Sequence, residues 1–428
     1  MMATLDKATA LDARLARLSV PAGGFAAKAR REALERLSAA GFPGRRDEYW
    51  RWTNPTAFAA PEPAPAEVPP AQPEMFDGFD RIRLVFTDGV FDAAASDALS
   101  GEEGIEITRL AEAPDVNWAA SVYGTLEAAG QKPVLRPFAT LNTVAATDGL
   151  LIRVTGRVKR PVNVIYRHKS EVSDPILHHV IRLEPGAEMT LLENGPSGAR
   201  FNKVMEVEVA EGARFHHIRA QGPDHKRQAI THIFARIAEG ALFKSFTLTV
   251  NGRLTRNECV LWLDGDNAVA HVAGAALGDG ADGGFHHDDT VFVTHDALNG
   301  ESRQVFKKVL KNAAVGVFQG KILVKPGAQK TDGYQISQSL LLDEASQFLG
   351  KPELEIYADD VKCSHGSTTG AIDPTALYYL RSRGVPLEEA KSLLVLSFLA
   401  DAIDEIEDPA LKDEIVARLE AWLATHRG

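Results

Sequence analysis

Cys363 and His365 are the residues whose types and spacing most directly suggest chemistry. They lie in Leu354-Glu355-Ile356-Tyr357-Ala358-Asp359-Asp360-Val361-Lys362-Cys363-Ser364-His365-Gly366. Alternate side chains of a strand share a face, which groups Leu354, Ile356 and Ala358 on one side. If the strand runs on, Cys363 and His365 lie together on the other, about 7 Å apart at their Cα atoms. A thiolate and an imidazole so placed can ligate a soft or borderline metal. They fall about two ligands short of an iron or zinc centre, so a second chain or substrate atoms must complete it. A Cys–His hydrolase would need an orienting third group, and nothing identifies one. The bland alternative is a structural cysteine, because cysteine is among the most buried residue types. Lys362, beside the pair, is a candidate supporting residue.

Histidines form the next group. His178-His179, His216-His217 and His286-His287-Asp288-Asp289 with His295 could suggest a metal-binding face. Neighbours on a strand point to opposite sides, so each pair offers at most one ligand to a common site. His287 and His295 are retained as candidate supporting residues, and the rest read as structural or solvated. Cys259, within Asn257-Glu258-Cys259-Val260-Leu261-Trp262, reads as a core filler. Neither a phosphate loop nor a Cys-x-x-Cys pair is present. Asp288-Asp289 and Asp359-Asp360 diverge as strand neighbours, whereas glycosidase carboxylates must face one bond.

The elements that must position these residues show a repeat. A hydrophobe-x-x-Gly-Ala step recurs at Leu183–Ala187, Val209–Ala213 and Ile237–Ala241, with a weaker echo at Leu263-Asp264-Gly265-Asp266. The glycines fall 26, 28 and 25 positions apart, separated by short strand-like segments. That period predicts a solenoid whose coils bury their apolar edges only by stacking, with glycine at the corners.

The rest of the chain divides around this core. Residues 1–60 form an N-terminal helical region. Within it, helical character runs from about Thr4 to Ala40, with Leu11, Leu15 and Leu18 on one stripe and Phe25, Ala29, Ala33 and Leu37 on another. Glu48-Tyr49-Trp50-Arg51-Trp52-Thr53 mixes aromatics with charges and reads as a docking segment. A proline-rich linker spans 61–80, and a mixed α/β connecting segment spans 81–149. The solenoid core is assigned to 150–370, and a helical domain to 371–428. Asp373-Pro374 and Asp408-Pro409 are helix starts, and Leu411, Ile415, Leu419 and Trp422 make one stripe. These helices could cap the open end of the solenoid or dock a partner.

A net charge of −11 argues against a nucleic-acid partner. No apolar run reaches the ~18 residues of a membrane span. Two cysteines fit a reducing compartment, and cytoplasm is the default.

Taken together, these segments resemble the SufB/SufD family of the SUF iron–sulfur cluster assembly machinery. The resemblance is carried by the stretch from Leu354 to Gly366 and by Leu377-Tyr378-Tyr379-Leu380-Arg381-Ser382-Arg383-Gly384. Phe318-Gln319-Gly320-Lys321-Ile322 and Gln329-Lys330-Thr331-Asp332-Gly333-Tyr334-Gln335 add to it, as do Ser302, Lys307, Lys308, Ser339-Leu340-Leu341-Leu342 and the Glu48–Thr53 motif. It is strong over 284–400 and weaker towards the start. It implies a mostly β fold, a right-handed parallel β-helix between N-terminal and C-terminal helical regions. It further implies a non-enzymatic scaffold that pairs through the β-helix with SufB, or with itself when alone. The ATPase SufC would dock on the C-terminal helices, with Leu377, Tyr378, Arg381, Arg383, Leu393 and Phe398 as docking residues. His365, with Cys363 beside it, would meet a transient iron–sulfur cluster shared with the partner and not held by this chain alone. Reduced flavin is an implied electron donor in some complexes of the family, though no flavin motif is present. The low cysteine content favours the SufD-type branch over the SufB-type paralogue. A carbohydrate-active β-helix enzyme and a purely structural solenoid adaptor are the rivals from other classes.

Overall fold

In the computed structural model, residues 7–425 are described apart from 71–72, 114–115, 196 and 223. The expected helix start near Thr4 lies outside them. Two long sheets, one of ten strands and one of nine, face each other, and the chain alternates between them coil after coil. From Leu150 onward the named neighbours within each sheet are parallel, giving a β-solenoid of about 8 turns. Apolar residues from the facing strands fill the space between the sheets, among them Ile181, Val207, Phe215, Ala235, Phe243, Leu261 and Val293.

The repeated glycines turn the corner from one sheet to the other. Gly186, Gly212 and Gly240 have φ of 71°, 63° and 61°. Their amides donate to the carbonyls of Glu211, Glu239 and Asp266 in the next coil at 2.9, 2.9 and 2.8 Å. Ala187, Ala213 and Ala241, which follow, are buried where the chain re-enters the core. The fourth corner differs from the expected one. Asn267 (φ 58°), and not Gly265, takes the left-handed conformation and donates to Leu298 O at 2.9 Å. Gly265 is required for another reason, since a Cβ there would stand 1.9 Å from the Glu239 amide nitrogen. Asn299 (φ 56°) and Lys330 (φ 62°) continue the column, the latter donating to Asp360 O.

The solenoid begins earlier than the expected boundary at 150. Ile82–Thr87 pairs in parallel with Val162–Arg167, and Ile105–Arg109 lies antiparallel to Leu150–Val154. The segment 81–149 therefore supplies the first coil as well as the fully buried helix Pro137–Ala145. That helix and Ala27–Ala40 cover the outer face of the nine-stranded sheet. Arg30 fastens the two by donating to Val144 O and Ala146 O at 2.9 and 2.7 Å. The aromatic segment around Tyr49 docks, but onto its own chain. Arg256 lies 4.1 Å from the Trp50 ring centroid, and Thr53 Oγ1 donates to Asp288 at 2.5 Å.

Three C-terminal helices form as expected: Pro374–Ser382, Leu387–Ile403 and Pro409–Thr425. Asp373 caps the first by accepting from the Thr375 amide at 2.8 Å. Of the two roles open to the group, capping the end of the solenoid is not what they perform. Val395, Leu399, Leu411, Ile415 and Leu419 pack against Leu248, Val250, Ala273, Ala275 and Val305, on the flank of the ten-stranded sheet. The apolar outer face of that sheet draws them sideways, and the last coil is left without a cover among the described residues.

Candidate functional site

The last coil consists of Gln347–Ile356, which ends the nine-stranded sheet, and Lys362–Gly370, which ends the ten-stranded one. No residue of either strand is buried. Each presents one unpaired edge to solvent.

Within this coil the expected continuous strand is broken. The chain turns at Tyr357–Val361, where Asp360 accepts from the corner amide of Lys330. Leu354 and Cys363 consequently lie on facing sheets, and not on opposite faces of one strand. Both join Ile322, Val324, Ala328, Ala358 and Val361 in one apolar wedge. Cys363 is half-buried, and burial pushes its thiol above the usual value, so the protonated form is favoured at neutral pH.

The in-register partners define which way the terminal strand faces. Cys363, His365, Ser367 and Thr369 lie beside Gly333, Gln335, Ser337 and Ser339. Ser337 Oγ meets Ser367 Oγ at 3.1 Å, and Ser339 Oγ meets Thr369 Oγ1 at 3.3 Å. Ser337 and Ser339 are buried, so this row faces the space between the sheets. Alternation puts Cys363 and His365 in the same row. His365 is exposed only because no further coil stacks on it, and it makes no hydrogen bond or ion pair among the described residues. Lys362 is exposed on the other side.

His287 and His295 occupy a different place. Their strand, His286–His295, lies two strands inward from the end of its sheet. His287 is 2% exposed, with Nδ1 2.9 Å from Lys308 Nζ and Nε2 3.3 Å from Asn257. Burial, and then Lys308, hold it well below the ordinary histidine range. His295 is fully buried, bonded to Ser302 Oγ at 2.8 Å and pushed down by burial to about 4. Both are neutral core residues that do not reach the end face. Cys259 is likewise buried, its thiol pushed up to about 12. Asp288 pairs outward with Arg256 and Asp289 inward with Lys308, so these carboxylates diverge as expected.

The outer side of the penultimate strand is held by the N-terminal motif. Lys351 pairs with Glu48 at 2.6 Å and lies 3.9 Å from the Tyr49 ring centroid, and Tyr49 donates to Glu353. On the C-terminal helices, Tyr378 is 72% exposed, and Tyr379, Arg381, Arg383 and Leu393 are also exposed. Arg383 lies 3.7 Å from the Tyr379 ring centroid. Leu377 is half-buried. Phe398 departs from the expected docking set, since it packs towards the sheet beneath Lys307 Nζ, 4.9 Å from its ring centroid.

The family model for the SUF system FeS cluster assembly SufBD core domain matches residues 166–398, which include every strand from Ile176 to Gly370. The chain belongs to this SufBD family. It is 29% identical over 400 residues to the iron–sulfur cluster assembly protein SufD of Escherichia coli, covering 90% of both chains. A SufBD family protein of Synechocystis is 25% identical over 411 residues, covering 90% of this chain and 88% of its own. The SufD of Bacillus subtilis is 29% identical over 281 residues, 62% of this chain and 61% of its own. Membership assigns the chain to iron–sulfur cluster assembly, in the SufD-type branch. The family match spans the whole terminal coil.

One part of the site escaped sequence reasoning. Gln304, Gln335, Ser337 and Ser339 line the interior below the end face, fully or nearly fully buried. The signal was present, because Gln335, Ser337 and Ser339 alternate with period 2 in Asp332–Leu341. Polar residues on alternate positions ordinarily mark the solvent face of a strand, and here they mark the inside.

Proposed function

We propose that this chain is a non-catalytic half of a cluster-building seam. The carrying observation is the uncovered terminal coil, whose inner row presents His365 at an open sheet edge. An edge of this length invites pairing with another chain, and SufB is the partner the reading requires. Two strands also leave a second copy of this chain able to occupy the edge when SufB is absent. The imidazole supplies one ligand to iron, the Cys363 thiol sits beside it, and the partner provides the rest. The cluster is cargo assembled between subunits. The exposed Tyr378, Tyr379, Arg381 and Leu393 form the docking face for the ATPase SufC, which supplies nucleotide chemistry that this chain lacks motifs for.

The test is cluster yield from the reconstituted three-protein complex. His365→Ala is expected to cut the yield by at least about tenfold, the scale on which ligand environments act, with unfolding unchanged because the residue is exposed. Undiminished yield removes His365 from the mechanism. In the same preparation Tyr378→Asp is expected to lose the ATPase subunit while the SufB pairing persists.

A further inference from the structure

Gln335 is fully buried in the strand that pairs with the terminal one, and its Cα is in register with that of His365. Its Nε2 donates to Gln304 Oε1 at 2.8 Å, which ties the amide to the coil beneath. Its Oε1 is buried and has no hydrogen-bond partner among the described residues. An unpaired buried acceptor is costly, and this one lies in register with the exposed His365. The opposite sheet is shaped around the same amide. A Cβ at Gly320 would stand 2.3 Å from Gln335 Nε2, so glycine there leaves the space the side chain fills.

Neighbouring strands run about 4.8 Å apart, and His365 follows Gln335 in the same inward row. The free acceptor is therefore one strand spacing below an imidazole that has no partner of its own. The two side chains are not bonded in this structure; we infer that Gln335 is the positioning residue of His365, accepting one ring N–H when the exposed ring turns inward, so that the other nitrogen keeps its lone pair directed at the seam. Metal-binding histidines generally use their second nitrogen in this way, and the bond fixes both tautomer and ring orientation. Gln304 completes the relay by holding the amide from the far side. This inference rests on the ligand role proposed for His365.

The experiment uses the full chain labelled with ¹⁵N-histidine, read by long-range proton–nitrogen correlation well above the pH range in which histidines protonate. His365 is assigned from the signal lost in His365→Asn. One tautomer is expected in the unsubstituted chain. Gln335→Met keeps the shape and removes the acceptor, so the signal should become a mixture of tautomers. Gln335→Glu keeps an acceptor, to which Gln304 can turn its own unpaired Nε2, and should retain the single tautomer. Cluster yield in the complex should fall about tenfold with Gln335→Met and recover with Gln335→Glu. An identical His365 spectrum in Gln335→Met overturns the proposal. If that variant does not fold, Gly320→Ala displaces the amide from the opposite wall, and an unchanged spectrum there overturns it equally. Should Gln335→Met mix the tautomers while His365→Ala leaves the yield intact, positioning stands and the ligand role fails. The reverse pattern rejects positioning alone.

Discussion

Around Glu193, deep in the solenoid, His217 Nε2 lies 2.8 Å from the carboxylate, Lys203 pairs with it, and Tyr166 donates to it at 2.5 Å while touching His179 at 3.0 Å. Burial opposes a charged carboxylate here, yet Lys203 and His217 hold Glu193 well below the usual range. The same burial pushes His179 down to about 3 and His217 to about 4, and His232 and His295 likewise to about 4. Each of these rings binds a proton in the unfolded chain near 6.5 but stays neutral in the fold until far lower pH. The unfolded state therefore takes up more protons, and stability is lost as pH falls from 6.5 towards 4. Each fully depressed ring contributes about 2 kcal/mol of that loss between pH 6.5 and pH 5. Glu206 has the opposite sign: burial raises it to about 8, so its contribution declines as pH rises from 4.5 through 8. Urea unfolding should show a clearly lower midpoint at pH 5 than at pH 7, and equal midpoints would contradict neutral, buried histidines.

At the scale of the element, each corner solves the same backbone problem with a different residue. Nothing lies within 4 Å of a Cβ added at Gly212, so Gly212→Ala should cost only the left-handed conformation, about 1 to 2 kcal/mol. Asn267→Gly should lose little or nothing, because glycine accepts the same φ freely. Gly265→Ala should cost about 1 to 3 kcal/mol through overpacking against the Glu239 backbone. Thermal unfolding of the three variants separates conformational cost from steric cost. The first three corners were legible because glycine is conspicuous. Asn267, Asn299 and Lys330 were not, since their residue types occur anywhere, and the spacing grows to 32 and 31 positions after Asn267. The longer coils carry more residues per strand, and a period sought near 26 misses them.

For the whole molecule, the flank-bound helices and the open end are two consequences of one distribution of apolar surface. The ten-stranded sheet is apolar outside at Leu248, Ala273 and Val305, and the C-terminal helices bury that face. Deleting them would uncover it, so substitution at exposed Tyr378 isolates docking more cleanly than truncation. Among the described residues the end coil has no such apolar cover, and it keeps its edge. In a parallel ladder alternate residues turn both backbone groups to one neighbour. Lys362 N–H donates inward to Thr331 O, so Cys363, His365, Ser367 and Thr369 turn theirs to the open side. Ser367→Pro should therefore weaken pairing with SufB by more than about tenfold while leaving the isolated chain's unfolding transition in place. Analytical ultracentrifugation of the mixed subunits reads the result directly, and unaltered association would exclude this edge from the interface.

Residue types and spacing pointed to the solenoid and the helical ends and singled out Cys363 with His365, while the family came from the resemblance of its long motifs to known members. Local chemistry suffices for these, because a glycine corner, a proline-started helix or a long motif is written in contiguous residues. Tertiary structure decided the rest. Whether His287 is a ligand or core, whether Phe398 faces a partner or the sheet, and whether helices cap an end or line a flank depend on residues remote in the chain. So does the pairing of Gln304, Gly320 and Gln335 beneath His365. Stacking of coils brings together positions about one solenoid turn apart, and no local pattern reports which of them will share a buried polar contact.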